Sequence, residues 1–271
     1  KLRRIHKASV VDRVLYQAVY QVLYRVLDPH FIHDSYASRD LKGTHRGVRR
    51  FEEFARKVSH NHRRQAFVLK CDVRKFFDSI DHDILLRLLR RKISDLNTLA
   101  LLEKIAQSFE TSSSKGLPLG NVTSQIFANL YLNELDQFVK HVLRARYYIR
   151  YCDDFVLLSE TRGQLEEWVG EIDTFLREKL LISLHPNKVT IRKLTQGTDF
   201  LGYVSLPHHR VLRTKTKNRT LRKIAEMLGH SKAGEVATRK FQNSLASYHG
   251  LLRHCRSQKI LAQIRELIEE R

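Results

Sequence analysis

Cysteine is scarce in this sequence, and the few that occur form no pattern. Cys71, Cys152 and Cys255 make an odd count. They show neither the paired spacing of a zinc site nor a disulfide framework, so a reducing, cytoplasmic setting is expected. No apolar run approaches the ~18 residues a bilayer-spanning helix needs. Lipidation signals, internal repeats and low-complexity tracts are also missing, and no membrane is expected as a partner. The opening, KLRRIHKASVVDRV, is basic and then amphipathic, unlike a signal peptide. It does not start with Met and reads as the beginning of a fragment or a processed chain. Acidic residues are short as well, 29 against 49 Lys and Arg, a formal charge of +20. A surplus of that size repels itself unless a polyanion absorbs it, so nucleic acid is the expected partner.

What is present suits a folded protein of one large or two moderate domains: 271 residues, 42% of them apolar. Val11, Val14, Leu15, Val19, Val22, Leu23 and Val26 recur at helical spacing up to Pro29, which ends that helix. A Gly-punctuated basic loop, 35–50, leads into a helix at about 48–59. FVLKCDV (67–73) reads as a strand with Asp72 at its end. Asp81 is a fitting N-cap for a helix striped with Ile84, Leu85, Leu88 and Leu89. A helix covers about 96–110 and another begins at 122, where a Ser or Thr cap is expected. YYIRY and FVLLS form a hairpin with Cys152-Asp153-Asp154 at its tip. A helix carries Leu165, Trp168, Val169, Ile172, Phe175 and Leu176 on one face. TDFLGYVSL reads as a strand, and from about 216 the chain turns helical and basic. Few strands and several helices argue for an α+β class.

Two adjacent carboxylates between apolar strands need a physical reason, because burying an unpaired charge costs several kcal/mol, roughly. Asp153-Asp154 is either a solvated turn, where Asp is common, or a site that meets a cation. If the strand ending in Asp72 lies beside the hairpin, three carboxylates converge. Oxygen ligands of that kind suit Mg²⁺, and a pair of such ions serves phosphoryl displacement.

Five segments in order resemble the reverse transcriptases. RYCDDFVLL is similar to their Y-x-D-D box, and KCDVRKFFDSIDHDIL to their first aspartate motif. KGLPLGNVTSQIFANLYLNELD resembles the loop and helix between these, and LHPNKVTIRK and FLGYVS the two motifs that follow. With SYASRDLKGTHR upstream, the likeness covers nearly the whole chain, closest to the bacterial group II-intron-like branch. It implies a right-hand polymerase: fingers at 1–65 with 85–120, a palm at 66–84 and 121–215 built of an antiparallel sheet with helices on one face, and a helical thumb at 216–271.

The same resemblance implies the roles. Asp72 and Asp153, with the Val73 carbonyl and Asp154 in support, would hold two Mg²⁺ ions, Mn²⁺ being a substitute. Lys188 matches a lysine that protonates leaving pyrophosphate. Arg39, Lys42 and Arg46 would cover the triphosphate of a deoxynucleotide. Val73, Arg74, Lys75, Phe76 and Phe77 would line the nucleotide site, with Phe77 as the wall under the sugar and Phe76 or Phe77 as a core ring. Leu119, Gly120, Ser124 and Gln125 would complete it. Tyr151, Phe200, Leu201 and Gly202 would lie at the primer end. Arg219, Arg222, Lys223, Arg239, Lys240 and Arg253 would contact the phosphates of template RNA and the growing cDNA without reading bases.

One motif departs from the common pattern. Where most reverse transcriptases carry Q-G-x-x-x-S-P, this chain reads Leu119-Gly120-Asn121-Val122-Thr123-Ser124-Gln125. That form, and NSLASYHGLLRHCRS near the C-terminus, resemble the reverse transcriptases of diversity-generating retroelements. The likeness implies error-prone copying opposite template adenine and a small basic accessory protein as partner. The alternatives are an ordinary-fidelity or template-independent relative, or a non-catalytic RNA binder.

Overall fold

The computed structural model describes residues 8–230 and 235–269. The basic opening, 1–7, lies outside the described residues. The chain forms two compact units, Lys1–Arg192 and Lys193–Arg271.

The first unit is built on a sheet of order β2-β3-β1-β4, formed by β1 (Phe67–Asp72), β2 (Tyr147–Tyr151), β3 (Asp154–Ser159) and β4 (Thr190–Lys193). β1 and β2 both pair antiparallel with β3. Side chains alternate across a strand, and each face has its own cover. Leu69, Cys71, Tyr148, Phe155 and Leu157 join one apolar core with residues of α6 (Val122–Gln137) and α7 (Arg162–Leu180). Val68, Ile149, Val156 and Leu158 point the other way and are also buried. There α2 (Thr44–Val58), which packs on β2 and β3, brings Val48, Phe51, Phe54 and Val58. Helices on one face were expected, as α6 and α7 provide. The additional cover from α2 explains why Phe155 to Ser159 are buried without interruption.

Local signals act as elementary chemistry predicts at several points. Asp81 caps α4 (His82–Arg90) by accepting from the Ile84 amide at 3.1 Å, and Asp95 does the same for α5 (Leu96–Gln107) through Thr98. α6 is different: Asn121, not Ser or Thr, holds its N-cap position, and its side chain makes no capping bond. In α1 (Val10–Leu27) Tyr16, Leu23 and Leu27 are buried, while Val11, Val14, Leu15, Val22 and Val26 of the apolar series are exposed. α3 is a single turn, Phe76–Ser79.

The second unit holds an antiparallel sheet, β5 (Thr198–Phe200), β6 (Tyr203–Ser205) and β7 (Arg210–Leu212). Among the described residues it continues with the helices α8 (Thr214–His230), α9 (Glu235–Leu252) and α10 (Gln258–Glu269). TDFLGYVSL is therefore two strands, not one. Leu201 and Gly202 both take positive φ, 51° and 89°, which is the requirement of a two-residue hairpin turn whose twist matches its strands. A leucine in the left-handed region is hard to foresee from sequence, since only Gly adopts it without strain.

Candidate active site

The carboxylates meet through strand register. Asp72, the last residue of β1, lies directly opposite Asp154, the first of β3. Between β2 and β3 only Cys152 and Asp153 form the turn, and the Val73 amide donates to the Asp153 carbonyl at 3.2 Å. Asp72 and Asp154 share the sheet face covered by α2. Lys70, two residues before Asp72, shares it too, with Nζ 3.3 Å from Asp154 Oδ2. Lys188 reaches Asp72 Oδ1 at 2.7 Å. Its loop is sewn to the end of β1 by backbone bonds: the His185 amide donates to Asp72 and the Arg74 amide to Ser183.

Three like charges in one place repel, and the protein shows the cost. Burial, and then the Asp72 charge, push the Asp153 carboxyl above its ordinary value. Burial pushes Asp154 from 3.8 up to about 6, against the pull of Lys70. Asp154 Oδ1 is buried with no hydrogen-bond partner, which a hard cation would satisfy. By donor type and register the residues fit such an ion. Their side chains do not yet share a ligand shell: no group of three His, Cys, Asp or Glu among the described residues is gathered to hold one. Asp72 and Asp154 are instead compensated by Lys188 and Lys70, and loading would require at least Lys188 to release its carboxylate.

The charge cost gives a test in the absence of divalent cations. Asp154 ionises at about 6 in the folded chain and near 3.8 unfolded. Its contribution to stability is therefore intact below 3.8 and lost as pH rises to about 6. Asp154→Asn is expected to raise the unfolding free energy at pH 7.5 by on the order of 2 kcal/mol. The gain should shrink as pH falls from 6 toward 4, measured by thermal unfolding in chelator. A gain independent of pH would disprove the assignment.

The residues expected at the nucleotide divide. Phe76 is a core ring and Phe77 is only part-buried, the two centroids 5.4 Å apart. Arg74 and Lys75 are exposed, with Lys75 in the left-handed region at φ 44°. Arg39 does not stand free: its guanidinium donates to Asp28 Oδ1 at 2.6 Å and to the Ile32 and Ser35 carbonyls at 2.7 and 3.1 Å. Lys42 Nζ donates to the His33 carbonyl at 2.7 Å, and Arg46 is exposed on α2. Ser38 Oγ donates to Gln125 Oε1 at 2.8 Å, tying this loop to α6. Leu119 is part-buried, Gly120 takes φ 113°, and Ser124 is buried. Tyr151 is half-buried, its hydroxyl accepting from Thr44 at the start of α2.

In the second unit Phe200 is buried, and Leu201 and Gly202 form the hairpin turn. Arg219, Arg222, Lys223, Arg239, Lys240 and Arg253 are all exposed on or beside the helices. Sequence reasoning missed Lys70, whose signal was its position two residues before Asp72 on one strand face. It also missed Arg150 and Asp136, charges set within apolar runs.

Residues 1–205 match the family described as reverse transcriptase (RNA-dependent DNA polymerase). The chain belongs to the reverse transcriptase family. Within that family's reach, 263 aligned residues are 25% identical to protein YkfC of Escherichia coli K12, covering 83% of this chain and 67% of that protein. The group II intron-encoded protein LtrA of Lactococcus lactis subsp. cremoris is 23% identical, with 84% of this chain and 49% of LtrA covered. Telomerase of Candida albicans, solved with a fragment of telomeric RNA, aligns over 96% of this chain and 48% of its own with a TM-score of 0.55 at 11% identity. Apo telomerase of Candida tropicalis gives the same TM-score over 94% and 54%. The fold is thus that of a right-hand polymerase. The chain spans about half the length of LtrA and of these telomerases. Among the described residues no helix is long and apolar enough to cross a membrane.

Proposed function

We propose that this chain is an RNA-directed DNA polymerase core that extends a DNA primer along an RNA template with deoxynucleoside triphosphates. The observation that carries the reading is the pairing of Asp72 with Asp154 across β1 and β3, with Asp153 on the turn beside them. Asp72, Asp153 and the Val73 carbonyl, with Asp154 in support, are the residues that would hold two Mg²⁺ ions. When bound, such ions supply activation of the primer 3′-hydroxyl and stabilisation of charge on the leaving pyrophosphate.

The chain's own groups do the rest. Lys188, held at Asp72, would deliver a proton to the leaving group once it lets go of that carboxylate. Phe77 is the ring that would crowd a ribose 2′-hydroxyl. Lys42 and Arg46 would meet the triphosphate, and Arg39, with Asp28, would shape the loop that carries Lys42 and leads into α2. Leu201 and Gly202 would grip the primer end from the turn that the buried Phe200 anchors, and the six exposed Arg and Lys side chains of the second unit would follow the duplex phosphates in a salt-dependent manner.

The test is extension of a DNA primer on a defined RNA template with Mg²⁺ and deoxynucleotides, repeated without template. Templated extension supports the reading. Untemplated extension selects a template-independent relative, and RNA binding without extension selects a non-catalytic one.

The finer reading is a polymerase of a diversity-generating retroelement, error-prone opposite adenine and assisted by a small basic protein. What supports it is Leu119 in place of the glutamine common in the family, and Gln125 in place of proline. An aliphatic side chain offers bulk without a hydrogen bond, so selection resting on that polar contact weakens. Leu119→Gln is expected to lower misincorporation opposite template adenine about tenfold, the worth of one hydrogen bond of ~1.4 kcal/mol, while synthesis continues. Sequencing of products decides it; an unchanged error spectrum would reject the finer reading alone.

A further inference from the structure

Arg150 is completely buried, and it precedes Tyr151 at the end of β2. A buried guanidinium is tolerated only when its donors are met. Here Nε and one terminal nitrogen donate to the two oxygens of Asp136 on α6, at 2.7 and 2.6 Å. The other terminal nitrogen donates to Asn129 Oδ1 and to the Cys152 carbonyl, both at 3.2 Å. Tyr148 adds its hydroxyl to Asp136 at 2.7 Å. The backbone of Arg150 is engaged as well: its amide donates to Asp34, and its carbonyl accepts from the Tyr36 amide. Asn129 extends the same network by donating to the Ala37 carbonyl at 2.9 Å.

The Cys152 contact matters because of where it falls. Cys152 has φ 56°, a left-handed conformation that costs a non-glycine residue ~1–2 kcal/mol and persists only where the surroundings enforce it. Its carbonyl belongs to the peptide plane that begins Asp153. Fixing that oxygen fixes the plane from which the Asp153 side chain departs. An apolar trio of similar volume would support the fold as well as this ion pair does, but it would offer no donor to the turn.

We propose that Arg150 is a positioning residue: with its fork locked by Asp136, it orients the Cys152–Asp153 peptide while its backbone and Asn129 anchor segment 34–37, so one buried node sets both the carboxylate turn and the base of the basic loop. This rests on the polymerase reading above.

Two variants and two readouts test it. Arg150→Lys keeps a cation for Asp136 but loses the fork. The triple variant Arg150→Met, Asp136→Leu, Tyr148→Phe replaces the network by apolar volume. Alkylation of Cys152, followed by mass spectrometry on the metal-free protein with Cys71 as internal reference, reports the order of the turn without relying on activity. Single-nucleotide extension reports kcat and KM. The triple variant is expected to unfold near the wild-type temperature and Arg150→Lys below it; both are expected to alkylate Cys152 at least tenfold faster relative to Cys71, and to lose tenfold or more in kcat with RNA affinity unchanged. Wild-type alkylation and kcat in a folded variant overturn the proposal. So does a triple variant that restores both stability and kcat when Arg150→Lys has lost both, since the network would then be structural only. If the wild-type chain itself fails to extend a templated primer, the polymerase reading falls, and the Cys152 rates alone decide the role of Arg150 in the turn.

Discussion

Replacing Asp153 with Asn is expected to lower templated extension by about a thousandfold or more and to leave RNA affinity unchanged. The substitution keeps shape and removes a negative charge. In the proposed site that charge holds a divalent cation whose contribution to the transition state is several kcal/mol, and each 1.36 kcal/mol is tenfold in rate. RNA affinity, in contrast, is assigned to the exposed basic side chains of the second unit, none of which involves Asp153. Asp153 also stands in a costly place: it is largely desolvated and beside Asp72, with its carboxyl raised above the ordinary value by both. Removing its charge should therefore stabilise the metal-free protein while disabling it, a combination that unfolding cannot mimic. Extension at a tenth of the wild-type rate or better would take Asp153 out of the ligand set. Lost RNA binding would mean that the variant had damaged more than the site.

Asp136→Leu alone is expected to be the most destabilising single change in the first unit. Asp136 and Arg150 are both fully inaccessible to solvent and joined at 2.6 Å. Deleting the carboxylate leaves a buried guanidinium with Asn129 and a carbonyl for partners and no counter-charge, a loss of about 3–5 kcal/mol. Tyr148 loses its acceptor at the same time. The comparison with the surface pair Arg162–Glu166, which joins exposed side chains at 2.7 Å, shows why distance alone says little. The exposed pair is screened and is worth ~0–1 kcal/mol. Denaturant unfolding of Asp136→Leu beside Glu166→Ala measures the contrast directly; equal effects would mean that water reaches the Arg150 network.

Asp72 and the pair Asp153-Asp154 were visible as carboxylates at strand ends, because a charge directly after an apolar β-forming run must meet either water at a turn or a cation. Asp81 was visible as a cap, because its side chain acts within three residues. The turn at Leu201–Gly202 was not visible, since its leucine carries no sign of a positive φ. Arg39 was legible as a basic loop residue but its partners were not, because nothing local says that Asp28 and two carbonyls take its donors. Arg150 and Asp136 could be seen as charges among apolar neighbours but not as partners, one on a strand and the other on a helix.

The order of segments and the run of acidic and basic residues by themselves determined the family, the α+β class and which carboxylates stand at strand ends. These rest on short-range chemistry: strand periodicity, turn and cap preferences, and motifs a few residues long. Only the tertiary structure decided that Lys70 and Lys188 sit on Asp154 and Asp72, that α2 closes the second face of the sheet, and that Arg150 joins the turn to segment 34–37. Each of these is a contact between residues brought together by the fold, and its energy depends on burial and on the partner's presence, which no local pattern carries.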